Sequence, residues 1–184
     1  MILYTARYTK GVTRLSSAER ALITIPDETK DNLVGIFKPF CTKNYMPYYY
    51  NRLDRRTKET YISVSFTTMQ LPCFNEFREM FYVLNTKIVP INIYDLLTPR
   101  GLAFWIMDNG SRQGAGLYLS TYSFSNEDMD RLMFTLQDKF GLKCSIHYNR
   151  DNKPIIYIFK EYMDNLKSLV SPYFIEEMLY KLGL

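Results

Sequence analysis

The stretch from Thr98 to Asn109 constrains this chain more than any other. Thr98 is a good N-cap, and Pro99 follows at the first helical position, where its missing N–H has no helical partner to lose. The helix that begins there contains LAFWIM, is apolar all round, and stops at Asn109-Gly110. A helix without a polar face has to be covered on every side. Any fold this chain adopts must therefore wrap other elements around this one.

The residues that follow supply those elements. Gly114-Ala115-Gly116 breaks the chain, and LYLSTYSF reads as a strand. Ser125 and Asp128 form a capping box. The helix they open puts Met129, Leu132, Met133, Leu136 and Phe140 on one face, and Gly141 ends it. A hairpin comes next, KCSIHYN and IIYIF around a turn at 150–154. Two helical stretches close the sequence: EYMDNLKSLV and, after Pro172, FIEEMLYKL. Residues 98–184 thus run helix, two strands, helix, two strands, helix.

The first half is less regular. DETKDNLVGIF (27–37) has acids at its front and apolar residues at its back, which suits a short helix closed by Pro39. Two β-rich runs, Tyr48–Leu53 and Thr60–Thr67, flank a charged connection and predict a hairpin. Pro72 opens a further helix with Phe74, Phe77 and Phe81 at helical spacing, and these aromatics are assigned to a core.

Composition narrows the function classes. Three cysteines, Cys41, Cys73 and Cys144, are widely spaced and odd in number, which reads as small buried residues in a reducing compartment. His147 is the single histidine and no CxxC spacing occurs, so a structural zinc site is not expected. No apolar run approaches the length of a membrane span. Net charge is +4, compatible with a polyanionic partner without demanding one. The 16 Tyr and 12 Phe have two available causes, an AT-rich genome or a surface that stacks on bases, and most are assigned to packing. The N-terminus, basic and free of acids over its first residues, has the look of a weak organellar targeting segment and is read as an arm or tail, residues 1–26.

The order of elements that begins at Thr98 resembles the half-domain of the LAGLIDADG homing endonucleases. LTPRGLAFWIMDNGS (97–111) resembles the second family motif of the mitochondrial intron-encoded branch. LPCFNEFREMFY (71–82), IVPINIYDLLTPRGLA (88–103) and SPYFIEEMLYKLGL (171–184) are similar to that branch too. The resemblance implies an α+β fold of two pseudo-symmetric αββαββα repeats with antiparallel sheets. It places a truncated first repeat at 27–97 and a second repeat at 98–184. It also implies two motif helices packed together and a saddle of strands laid against nucleic acid.

In the family, an acid just before a Gly ends each motif helix, and the two acids share divalent metals that activate water and stabilise a leaving oxygen. Here Asn109 occupies that place in the second motif. Its neighbour Asp108 is an acid, but one residue along a helix turns a side chain by about 100°. DNLVGI (31–36) resembles the opening of the first motif, yet it runs straight into FKPFC, so an internal deletion is expected to have removed the first acid and part of the saddle. Lys38 stands near where metal would be.

The implied chemistry is then binding without cutting, with no catalytic residue, no metal and no cofactor. Arg52, Arg55, Arg56 and Lys58 on the first hairpin are candidate phosphate contacts, with a solvated turn as the plain alternative. Lys143, Arg150 and Lys153 belong to the second hairpin, and Lys153 is a candidate for the basic residue that accompanies the family's metal site. The expected partner is structured RNA, ribosomal or intron RNA, in the mitochondrial matrix. The expected role is a ribosome-associated protein, alongside ribosomal proteins, or a splicing maturase. The rival is a metal-dependent, site-specific DNA endonuclease using Mg²⁺, with Asn109 an introduced change. A third reading is a remnant held folded only by a protein partner.

Overall fold

The computed structural model describes residues 5–9, 12–17, 38–40, 48–53, 58, 60–67, 69 and 71–184. The chain divides into two compact units, Leu3–Met80 and Phe81–Leu184. The DETKDNLVGIF segment, expected to be helical, lies outside the described residues.

In the first unit, β1 (Thr5–Thr9), β2 (Val12–Ser17), β3 (Tyr48–Leu53) and β4 (Thr60–Thr67) form one sheet in the order β1-β2-β4-β3. The predicted hairpin is β3–β4, antiparallel from Tyr48↔Ser65 to Leu53↔Thr60. Residues 5–17 were expected as part of an arm. They form a second antiparallel hairpin, and Ser16 and Ser17 pair with Thr67 and Phe66 of β4. The first sheet therefore has four strands, with its outer hairpin drawn from residues ahead of the DNLVGI segment. A 3-10 turn, Pro72–Phe74, leads into helix α1 (Asn75–Phe81) as the Pro at its start predicts.

The second unit opens with a short hairpin, β5 (Tyr82–Val83) and β6 (Thr86–Lys87), and a single-turn helix α2 (Ile93–Leu96). Then comes the apolar helix, α3 (Pro99–Asn109), with the Thr98 hydroxyl accepting from the Gly101 amide at 3.1 Å. After it run β7 (Gly110–Gln113), β8 (Gly116–Ser120), α4 (Asn126–Phe134), β9 (Cys144–Tyr148), β10 (Pro154–Ile158) and α5 (Met163–Val170). The sheet order is β7-β8-β10-β9, the same pattern as in the first unit. The capping box of α4 is present, and the helix widens into a π turn over Thr135–Lys139 before Gly141 takes positive φ. The FIEEMLYKL segment, expected to be helical, forms a 3-10 helix over Glu176–Leu182, closed by Gly183 in the left-handed region.

One core serves the second unit. Leu102 and Ile106 of α3, Leu117 and Leu119 of β8, Ile156 and Ile158 of β10, Leu136 and Leu166 are all buried to 0% exposure in a single cluster. Trp105, at 5% exposure, joins them, so α3 is enclosed as its composition demands. Val89, Ile93 and Leu97 belong to the same cluster. Asp128, buried at the start of α4, accepts from the Val89 amide at 3.0 Å, from Arg131 at 3.0 Å and from the Ser125 amide at 3.3 Å. These contacts tie the segment ahead of α3 into the second core. They explain why the division falls at Met80/Phe81, ahead of the boundary expected at 97/98. Among the described residues no helix is long and apolar enough to cross a membrane.

Candidate nucleic-acid interface

The C-terminal end of α3 is the most unusual electrostatic feature of the second unit. Gly110 turns the chain from helix into β7. A Cβ there would lie 2.5 Å from the Ile106 carbonyl oxygen and 2.7 Å from its Cγ2, so only glycine permits this close exit. The two residues before it are Asp108, exposed, and Asn109, half-buried.

Lys181, from the final 3-10 segment, is buried against this helix end. Its ammonium donates to the Met107 carbonyl and lies within 3.5 Å of the Ile106 carbonyl. Those oxygens lie in the last turn of the helix, where the Ile106 carbonyl also accepts from the Gly110 amide, and they carry the negative end of its dipole. Burial pulls the Lys181 pKa below the usual lysine value, and the Asp108 charge opposes that pull. Lys87, at the end of β6, faces the same carboxylate. Burial lowers its pKa to about 8, again against the attraction of Asp108. Asp108 responds in kind. It has an open side toward solvent, yet burial among protein atoms is the largest influence and raises its pKa, with Lys181 and Lys87 pulling it back.

The sequence offered Lys153 or a neighbour as a candidate for the basic residue of this position. The lysines beside Asp108 are Lys87 and Lys181. Lys153 sits in the β9–β10 turn, its ammonium 5.9 Å from the Tyr122 ring centre. That turn is organised by Asn149, whose side-chain oxygen accepts from the Asp151 amide at 2.9 Å and the Lys153 amide at 2.8 Å. Arg150 and Lys153 are exposed on it, and Lys143 is exposed just ahead of β9. In the first unit Lys58 is exposed with φ 62°. Arg52 pairs through its backbone with Tyr61. Arg55 and Arg56 lie outside the described residues. The described basic candidates are thus spread over strand ends and one hairpin turn, while the lysines beside Asp108 went unread. Lys181 interrupts the apolar run LYKLGL, and Lys87 stands directly ahead of IVP; a charge against such a run was the signal available.

Comparison with known proteins places this geometry. The profile of the LAGLIDADG DNA endonuclease family matches residues 29–166. The chain belongs to that family. It is 36% identical to the cytochrome b mRNA maturase bI2 of Saccharomyces cerevisiae over 153 residues, which is 78% of this chain and 36% of the maturase. It is 38% identical to the intron-encoded endonuclease ai4 of Dictyostelium discoideum over 152 residues, 79% of this chain and 93% of that protein. The structure of the homing endonuclease I-WcaI bound to its DNA recognition sequence superposes with a TM-score of 0.78 and 26% identity. That match covers 97% of this chain and 80% of the endonuclease chain. As a LAGLIDADG protein, the chain has the α+β fold with antiparallel sheets that the resemblance implied.

The family's chemistry implies divalent metal at the ends of its motif helices. The donors at the end of α3 do not fit one. They are one carboxylate whose charged form is disfavoured by burial and one neutral amide in place of the acid before the glycine. Among the described residues no three acidic, histidine or cysteine side chains are grouped.

The lysines have a measurable consequence. Lys87 has a folded pKa near 8 against an ordinary lysine value of 10.5. Between those values the unfolded chain binds more protons than the folded one, so this group makes stability rise with pH across that window. Lys87→Met is expected to remove the rise. Urea denaturation from pH 8 to 10.5 should show wild type gaining on the variant as pH increases, and parallel curves would mean that Lys87 is fully solvated.

Proposed function

We propose that this LAGLIDADG protein binds intron RNA as a maturase-type member of the family and does not cut nucleic acid. The observation that carries this reading is the end of α3, where Asn109 stands in place of the acid before the glycine and burial disfavours the charged form of Asp108. Binding does not need that donor set, because phosphate contacts from exposed lysines and arginines are independent of it. The likeness to the cytochrome b mRNA maturase bI2 supports the maturase role over the ribosomal one expected from sequence. The site of action proposed is the mitochondrial matrix, with RNA as the partner and no membrane.

A second reading, a site-specific DNA endonuclease with Mg²⁺, is favoured by the likeness to I-WcaI bound to its DNA recognition sequence. The two separate on one measurement. Purified protein should bind the transcript of its own host intron more tightly than the duplex DNA of the same sequence, at matched salt. RNA that copurifies with the protein should carry that intron. Tighter binding to the duplex, with ribosomal or no RNA copurifying, would overturn the proposal.

A further inference from the structure

Part of the apolar surface of the second unit lies outside its core and is grouped. Tyr94 of α2 and Phe134, the last residue of α4, are 36% and 61% exposed. Their rings nevertheless meet, with centroids 6.0 Å apart and planes at 36°. Ile91 and Leu96, from the same segment as Tyr94, are exposed too. The core takes Ile93 and Leu97 from this segment, and Leu132 and Leu136 from either side of Phe134, so these are the side chains the fold leaves out. Single exposed apolar residues need no explanation, whereas grouped ones mark a surface that another molecule covers.

Tyr94 is held in place. Its hydroxyl donates to Asp138 Oδ2 at 2.9 Å, and its carbonyl accepts from the Lys139 ammonium, which also lies 5.3 Å from the Tyr94 ring centre. Asp138 and Lys139 come from the π turn that follows α4, and such turns recur at functional sites. An aromatic already fixed by its neighbours loses little freedom when a partner covers it.

The charge around these rings is acidic, although the chain as a whole carries +4. Asp95 follows Tyr94, Asp138 holds its hydroxyl, and Asp130 and Glu127 share the Phe134 side of α4, one and two turns back. All four acids are exposed. The nearby cations are engaged. Lys139 is on the Tyr94 carbonyl, and Arg131 is on the Asp128 carboxylate at 3.0 Å and the Val89 carbonyl at 3.3 Å. Such a surface repels phosphate and attracts guanidinium and ammonium groups. It complements a polypeptide that offers an apolar side chain between arginines: the apolar residue covers Phe134, and the guanidinium groups meet the carboxylates.

We propose that the Tyr94–Phe134 surface is a docking site for a protein partner, engaged through a basic segment with an apolar anchor. The proposal does not rest on the RNA reading; it adds a second kind of partner, taken by a surface that phosphate avoids.

The test uses the full chain and two labelled helical peptides of about 14 residues, one with leucines on one face and arginines on the other, and one with glutamates in place of the arginines. Wild type should bind the Leu–Arg peptide and not the Leu–Glu peptide. Phe134→Ala should weaken that binding by about ten-fold or more, the scale of one anchoring aromatic. Asp95→Lys combined with Asp130→Lys should weaken it as well, most at low salt. These side chains are exposed, so the thermal transition followed by the fluorescence of Trp105, the single tryptophan, should be retained. Affinity for intron RNA should be the same in Phe134→Ala as in wild type. No binding of the Leu–Arg peptide, or binding that neither variant weakens, would overturn the proposal. A wild-type dimer in sedimentation that Phe134→Ala dissociates would overturn it in favour of a second copy of this chain. Loss of RNA affinity in Phe134→Ala would overturn it by making this surface part of the RNA contact, with the RNA reading left standing.

Discussion

The purified chain should leave DNA uncut in Mg²⁺ or Mn²⁺, and Asn109→Asp alone should leave it uncut as well. Metal-dependent cleavage needs two carboxylates sharing ions that generate the nucleophile and stabilise the leaving oxygen, a contribution of several kcal/mol to the barrier. Losing it slows the reaction on the order of a thousand-fold or more. Restoring one acid gives a single carboxylate beside Asp108, still between Lys87 and Lys181. The DNLVGI segment offers no acid at its C-terminal end, since it passes directly into FKPFC. Nicking of a supercoiled plasmid that carries the intron insertion site is a sensitive assay for this. Metal-dependent nicking at that site by the unmodified chain would sink the claim. Cutting restored by Asn109→Asp would mean that the second acid is supplied by residues other than those of DNLVGI.

Much of the second unit was legible because its local signals agree with one another. Thr98-Pro99 starts α3, Gly110 ends it, Ser125 and Asp128 start α4, and each of these does in the structure what its chemistry dictates. The β-rich runs KCSIHYN and IIYIF around a turn at 150–154 gave the second hairpin for the same reason. Residues 5–17 were harder. TARYT alternates over only five residues and VTRLSS does not alternate, and what makes them strands is pairing with each other and with β4, far along the chain. The boundary between units was hidden similarly. Asp128 was legible as a capping residue, but its bond to the Val89 amide is long-range and left no trace in spacing.

The candidate site was half legible. Asn109 and Asp108 stood out because a motif placed them. Lys87 and Lys181 did not, because they come from segments distant in sequence and only the fold brings them to one carboxylate. Reading the sequence for exposed charge located Lys58, Lys143, Arg150 and Lys153 but missed the Tyr94–Phe134 surface. The spacing that buries Ile93 and Leu97, and Leu132 and Leu136, also leaves Tyr94 and Phe134 outside, and the packing of α2 on α4 then brings the two rings together.

Replacing Arg52, Arg55, Arg56 and Lys58 with alanine should weaken RNA binding and flatten its dependence on salt, with the folded state kept. Each phosphate contact releases condensed counterions, so log affinity falls against log salt by roughly 0.7–0.9 per contact. Four lost contacts would lower the slope by about 3, and the gap between wild type and variant should be widest at low salt. Stability should change little, because Arg52 lies at the end of β3 and Lys58 is exposed. Lys58 carries its own constraint, since φ 62° already strains a non-glycine backbone and alanine neither relieves nor adds to that. A second variant, Lys143, Arg150 and Lys153 to alanine, tests the other hairpin, and its slope should fall by about 2. If the two variants are run over a salt series on intron RNA, the one with the larger loss identifies the hairpin that carries more of the phosphate contact. Wild-type affinity and slope in both variants would show that both sets of turns are only solvated.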